Sequence, residues 1–469
     1  MSAYIIKNAT VISVDDSIGN IDNCDILIDN SIISAVGPNL QYSSRHTVID
    51  GTNCIVSPGF VDTHRHTWQT QLRALTTDFV LTDYLLALRL IYGSCYTSDD
   101  VYIGNYCGAL ESIDNGTTYL IDHSHIINSP EHADAAIQAL RDARIRATFC
   151  YGLYANPYWE GMPDAFERHF FSSNEPQDLV RFGFSPSEPE VVPFDRFAQE
   201  IEFGRSLGAA VITAHNNSQG KFNCHNALIR KLDQRGLLGP DLLLSHSSNI
   251  YGDELAAAKR HRVALSSTPD TELQMGMGHP IAFQAKDIGC TASLGVDICS
   301  NSPGDMFQQM RLLLQLQRHV EHEKSSRAPV ETSRKCIEVL EMATMGGAKA
   351  VGLENIIGSI TPGKRADLLI TKCESTRLVP VHDAVGALVL YANGSDIDTV
   401  FINGEIVKSG GKLVNVDWPE VKQRLRESVT SIMKTSAAAP RHKLEEMRNT
   451  MAATLFDKGT ERKAIGENL

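Results

Sequence analysis

Between residues 58 and 357 the chain alternates strand-like runs with helical stretches, the pattern that folds as a parallel sheet with helices outside it. Eight candidate strands span Phe60 to Thr63, Thr118 to Asp122, Arg146 to Cys150, Phe182 to Ser185, Ala209 to Ala214, Asp241 to Ser245, Arg262 to Ser266 and Thr291 to Val296. Four of them run directly into residues able to ligate a metal: the first into His64-Arg65-His66, the fifth into His215, the sixth into His246 and the eighth into Asp297. His64 and His66 project from one face, because side-chain direction along a strand repeats every second residue, and such a pair suits one metal ion. A parallel barrel gathers the C-terminal ends of its strands at one mouth. The spacing agrees, with about one strand-helix unit from His215 to His246 and about two from His246 to Asp297, given ~250 residues for eight units.

Residues 1–57 alternate like short antiparallel strands, and the pattern returns over 358–413, where Asn403-Gly404 signals a two-residue hairpin. We therefore expect an α/β chain made of a (β/α)8 TIM barrel over 58–357, a discontinuous flanking β-sandwich domain from 1–57 and 358–413, and a helical tail over 414–469. With 469 residues, 42% hydrophobic and 21% charged, the chain can bury a large core. A net charge of -13 argues against nucleic-acid or anionic-membrane partners and leaves a small molecule as the expected substrate. Ten scattered cysteines without a Cys-x-x-Cys pair, a start that runs straight into a strand pattern, and the lack of any ~18-residue apolar stretch point to the cytoplasm.

The segments Pro58-Gly59-Phe60-Val61-Asp62-Thr63-His64-Arg65-His66, Gly295-Val296-Asp297 with Ser300-Asn301 and Asp305-Met306-Phe307, and Gly358-Ser359-Ile360-Thr361-Pro362-Gly363-Lys364-Arg365-Ala366-Asp367 resemble the amidohydrolase superfamily. The likeness is to the branch of cytosine deaminase, S-adenosylhomocysteine deaminase and triazine chlorohydrolases, and covers roughly residues 1–410. It implies the barrel and flanking sandwich, with His64, His66, His215, His246 and Asp297 as metal ligands and catalysis by Asp297, as proton-handling base, and His246. Neutral imidazoles and a carboxylate can hold zinc, or iron, while leaving a position for water, whose pKa falls from ~15.7 towards ~7 on the metal. Relatives of this kind are often dimers or larger assemblies, so a homo-oligomer is expected.

The sequence departs from that branch at three places. Ser218 stands three residues after His215, where the deaminases carry a proton-shuttling glutamate; Ser267 stands near a histidine position after the seventh strand; and Phe184-Ser185-Pro186-Ser187-Glu188-Pro189 lacks the usual fourth-strand histidine. No lysine ends the fourth strand, so one ion is expected rather than a bridged pair. Either Glu188, Glu272, His125 and His279 handle the missing protons, or the metal and Asp297 suffice, which is the preferred reading. His125 is a candidate ligand or capping group, with His123 turned away from the site. His279 sits in a Gly-rich loop of the kind that contacts substrate. Gln69, beside Trp68, matches a family position that touches substrate. The aromatic run Tyr151 to Trp159 is a candidate ligand wall or packing beneath a lid, and Met275 and Met277 line a pocket or fill gaps.

The expected activity is hydrolysis of a non-peptide carbon-nitrogen bond in a small cyclic or aromatic substrate, as cyclic amide or imine hydrolysis or as deamination. Lyase or decarboxylase chemistry on the same metal scaffold is the alternative, and a catalytically dead binding protein a further one.

Overall fold

At Gly59 the chain passes from one sheet to another in a single residue. A computed structural model describes residues 3–153, 174–216 and 227–438. In it β1 (Ala3–Ile12), β2 (Asn20–Asp29), β3 (Ile32–Gly37), β4 (Thr47–Asp50) and β5 (Cys54–Pro58) belong to one sheet, and β6 (Phe60–Arg65) opens the other. A Cβ at Gly59 would collide with Thr118, so only glycine lets the chain cross so close to the neighbouring strand.

The second sheet continues with β7 (Thr117–Ser124), β8 (Arg146–Gly152), β9 (Val180–Ser185), β10 (Ile212–Asn216), β11 (Leu242–His246), β12 (Ala264–Ser267) and β13 (Thr291–Leu294). All eight strands are parallel and pair in chain order, so each of the eight sequence-derived strands is present, with ends moved by up to three residues. Every residue of β6, β7, β8, β9 and β11 is buried, as strands covered on both faces are, so they need not alternate between apolar and polar positions. The first and eighth strands meet just beyond β13. Asp297 N donates to His64 O at 2.7 Å and His66 N donates to Asp297 O at 2.8 Å. Asp62 reinforces this seam, its Oδ1 accepting from Val296 N at 3.0 Å and His64 N at 3.2 Å.

The first sheet is completed by β14 (Leu368–Lys372), β15 (Ile397–Ile402), β16 (Glu405–Ser409) and β17 (Lys412–Leu413). Its order is β17-β16-β15-β14-β5-β1-β2-β3, with β4 on β1. The two ends of the chain join where β5 and β14 run antiparallel from Pro58 opposite Leu368 to Cys54 opposite Lys372. Ile6, Val11, Ile26, Val56, Leu368 and Phe401 form its own core. A buried ion pair ties this sheet to the start of β8: Arg146 Nε and Nη2 donate to Asp367 at 2.8 and 3.1 Å.

Beyond β17 the chain forms a helix, Trp418–Ser436. It folds back on the chain, where Ser428 Oγ donates to Asp100 Oδ1 at 2.6 Å and accepts from Gln71 Nε2 at 3.0 Å, and Ile432 is fully buried. Among the described residues no helix is long and apolar enough to cross a membrane.

Candidate metal centre

The barrel mouth concentrates histidines. One ligand nitrogen each from His64, His66, His123 and His215 lie within 4.8 Å of one another, and ligand atoms of His64, His246 and Asp297 form an overlapping group. The seam that closes the barrel delivers Asp297 to the first-strand pair. Its Oδ1 stands 3.3 Å from His64 Nε2 and 3.4 Å from His66 Nε2, and His66 Nε2 stands 3.4 Å from His215 Nε2. Donors about 2.1 Å from a common ion at tetrahedral angles are separated by roughly 3.4 Å, so these edges fit one ion.

Each imidazole is oriented by a second contact, the arrangement that sets tautomer and basicity in metal sites. His66 Nδ1 donates to His123 O at 2.8 Å, and His64 Nδ1 meets Ser245 Oγ at 2.8 Å. His215 Nδ1 donates to Glu188 Oε2 at 2.8 Å, while Glu188 Oε1 accepts from Arg89 Nη1 at 3.2 Å. The opposite nitrogens face the cluster, and His64 Nε2 is buried without a hydrogen-bond partner. Burial pushes His64 down to about 4 and His66 well below the ordinary imidazole value, which keeps both as neutral donors. Burial alone would raise Asp297, but His64, His246 and His66 outweigh it and hold the carboxyl well below the usual range. Burial likewise opposes ionisation of Glu188, and His215 with Arg89 overcomes it. Neutral nitrogens around an ionised carboxylate are the donor chemistry a divalent ion requires.

His246 differs from the others. Its Nδ1 lies 3.1 Å from Thr268 Oγ1 and 3.4 Å from Glu272 Oε1, and Glu272 is itself pinned by Thr268 N at 2.8 Å. Burial opposes its protonated form, yet Glu272 and Asp297 raise its pKa. Both His246 (φ 67°) and Asp297 (φ 68°) adopt left-handed backbone, a strain that non-glycine residues carry where the surrounding structure enforces it, often at functional sites.

The other sequence candidates divide. Glu188 and Glu272 both join the site, as partners of His215 and His246. His125 packs its ring 4.0 Å from that of His66 and accepts at Nδ1 from Trp68 Nε1 at 3.2 Å. Gln69 is engaged at both ends, donating to Tyr84 Oη at 2.5 Å and accepting from Ser300 Oγ at 3.2 Å. His279 pairs with Gln317 on the helix Met306–Glu323 at 3.0 Å and is not among the clustered residues. Met275 and Met277 are buried in the main core. Ser218 and the run from Tyr154 to Trp159 lie outside the described residues.

One expectation is corrected. His123 does not turn away; it is buried and its ring stacks 4.5 Å from that of His215. The strand ends at Ser124, and register shifts interrupt the pairing of β6 with β7, so simple alternation around His123 and His125 does not decide which ring faces inward. Sequence reasoning also passed over Ser245, Thr268 and Arg89, the groups that hold His64, His246 and Glu188. Ser245 had a readable signal, since it immediately precedes a candidate ligand; Arg89 lies far from the strand ends and had none.

Comparison with known proteins identifies the family and the fold. The model of the amidohydrolase family matches residues 55–407. A 5'-deoxyadenosine deaminase of Methanosarcina barkeri is 27% identical over 450 residues, covering 92% of this chain and 99% of the relative. A 5-methylthioadenosine/S-adenosylhomocysteine deaminase of Pelotomaculum thermopropionicum is 26% identical over 434 residues, 90% of this chain and 96% of the relative. Among solved structures, a zinc-bound adenosine deaminase from Xanthomonas campestris superposes with a TM-score of 0.82 at 20% identity, covering 92% of this chain and 99% of that one. A mutant of atrazine chlorohydrolase from Arthrobacter aurescens TC1, complexed with zinc and atraton, gives 0.79 at 21% identity, covering 91% and 100%.

Proposed function

Because this chain belongs to the amidohydrolase family, we propose that it removes the exocyclic amino group of a small N-heterocycle of the adenosine type, with one zinc ion held by His64, His66, His215 and Asp297. The observation that carries this reading is the pairing of two differently poised proton carriers, Asp297 and His246, at one histidine cluster. The names of the deaminase relatives support the substrate class, and the zinc-bound neighbours support the ion. A divalent ion held there acidifies a water and polarises the bond under attack. Asp297, ionised and fixed by its backbone bonds to the first strand, takes the proton of the attacking water. His246, whose pKa Glu272 and Asp297 raise against the effect of burial, stands beside the same cluster and would supply the proton that makes ammonia a competent leaving group. Such a positioned acid contributes about 10²- to 10⁴-fold in rate.

Product mass tests the proposal: incubation with adenosine-type compounds and related N-heterocycles is expected to exchange an amino group for oxygen, with ammonia released. A product heavier than substrate by one water would refute deamination and establish ring opening of a cyclic amide. One observation favours that second reading, since Glu188 is bound to His215 and Arg89 and is not free to protonate a ring nitrogen in place of the glutamate missing at Ser218.

We also place the protein in the cytoplasm as a homo-oligomer acting on a small molecule. All nine described cysteines are free thiols, in keeping with a reducing compartment. Light scattering on the purified protein tests the assembly.

A further inference from the structure

We propose that His123 is an additional ligand of this metal centre, held in place by Ser185. The inference rests on the metal reading above and extends it to the second and fourth barrel strands, which its four ligands do not use. His123 is the penultimate residue of β7 and is 2% exposed. Its Nε2 lies 2.5 Å from Ser185 Oγ at the end of β9, and the Ser185 hydroxyl is in turn directed at Pro186 O, 3.5 Å away. With Ser185 Oγ as the acceptor of this contact, Nε2 carries the hydrogen and Nδ1 keeps its lone pair. That Nδ1 is buried and has no hydrogen-bond partner.

A buried acceptor without a partner forfeits its desolvation, which folded proteins rarely tolerate. A cation shared with the neighbouring ligands removes the deficit. His123 supplies one of the four nitrogens within 4.8 Å of one another, and its ring centre is 5.1 Å from that of His66 and 5.4 Å from that of His64. It also repeats the construction of the expected ligands: His66, His64 and His215 each have one nitrogen tied to an oxygen and the other turned to the cluster. His125, just beyond the end of this strand, instead accepts at Nδ1 from Trp68 Nε1 and is not among the clustered residues. Ser185 thus takes the place of a fourth-strand ligand, acting through His123 as a positioning residue.

The test uses the full-length protein, stripped of metal and titrated with cobalt(II) against a chromophoric chelator, with the visible spectrum of the cobalt form recorded. His123→Ala is expected to weaken cobalt affinity by at least tenfold and to change the intensity and position of the cobalt bands, since one donor leaves the coordination sphere. Ser185→Ala is expected to weaken affinity by roughly 10- to 100-fold, as for other groups that orient a ligand. His123→Asn, which preserves polarity, guards against a folding defect and must show the same spectral change, with circular dichroism unaltered. Wild-type affinity and an unchanged spectrum in His123→Ala, alongside loss of cobalt in a His64→Ala control, would overturn this inference and leave the metal reading intact. Failure of the wild type to bind cobalt would overturn both.

Discussion

Replacing Glu188 by glutamine separates two roles that the sequence left open for it. If Glu188 orients His215, the variant is defective in holding metal; if it is a proton donor to substrate, the variant holds metal normally and fails in chemistry. The carboxylate accepts from His215 Nδ1 at 2.8 Å through Oε2 and at 3.0 Å through Oε1, and Oε1 also accepts from Arg89 Nη1 at 3.2 Å. Glutamine retains one acceptor oxygen and presents an N–H in place of the second, so one of the two donors meets a donor. Both lost or weakened bonds are charge-assisted, about twice as strong as neutral ones. Losing such an outer contact to a metal-binding histidine costs roughly 10- to 100-fold in affinity, or about 1.4 to 2.7 kcal/mol. Chelator competition near neutral pH measures this directly, and kcat at saturating metal is expected to recover to within a few-fold of wild type. Wild-type affinity combined with a large loss of kcat would refute the orienting role and return Glu188 to the list of proton carriers.

Further perturbations read the frame around the site. Asp367→Asn leaves the buried Arg146 charge without its bidentate partner, at a cost of about 3–5 kcal/mol; with an unfolding entropy of ~2.1 cal/mol/K per residue, calorimetry should find Tm lowered by roughly 3–5 °C, while the double variant Arg146→Met, Asp367→Leu recovers most of it. Glu111, whose pKa burial would raise but Arg65 and Arg73 pull below 4.5, stabilises the fold above that pH and loses the effect as pH falls through its folded value. Glu111→Gln should therefore lie furthest below wild type in Tm near neutral pH and converge with it in acid; a gap that widened on acidification would contradict the ion-pair account. Metal added to about 1,000 times its Kd should stabilise the apoprotein by about 4 kcal/mol, and His64→Ala, His66→Ala should show no such rise.

How much of this was legible beforehand depended on the range of the interaction. The eight barrel strands were readable because strand-like runs alternate with helical stretches along the chain, and the first-strand pair, His215, His246 and Asp297 were readable because a barrel puts strand ends at one mouth. Bounds such as Ala209 to Ala214, observed as Ile212–Asn216, slipped because ladder hydrogen bonds rather than composition end a strand. The orientation of His123 was not legible, since it turns on a register shift between β6 and β7 and on a hydroxyl two strands away. Arg89 and Glu188 meet across sequence separations that no local pattern encodes.

The seam of the barrel explains why fold and site stand together here. The backbone bonds between His64, His66 and Asp297 close the eight-stranded sheet, and the same bonds fix the carboxylate against two imidazoles. Asp62, beneath them, accepts from the backbone of both strands and is buried enough for its pKa to be pushed up to about 7. Left-handed backbone at His246 and Asp297 turns the chain sharply at the points where side chains must face inward. A strand end free to relax would release that strain and the cluster with it; tied by backbone bonds to the first strand, Asp297 is held with its carboxylate at ligand spacing from two imidazoles, the preorganisation a catalytic metal site requires.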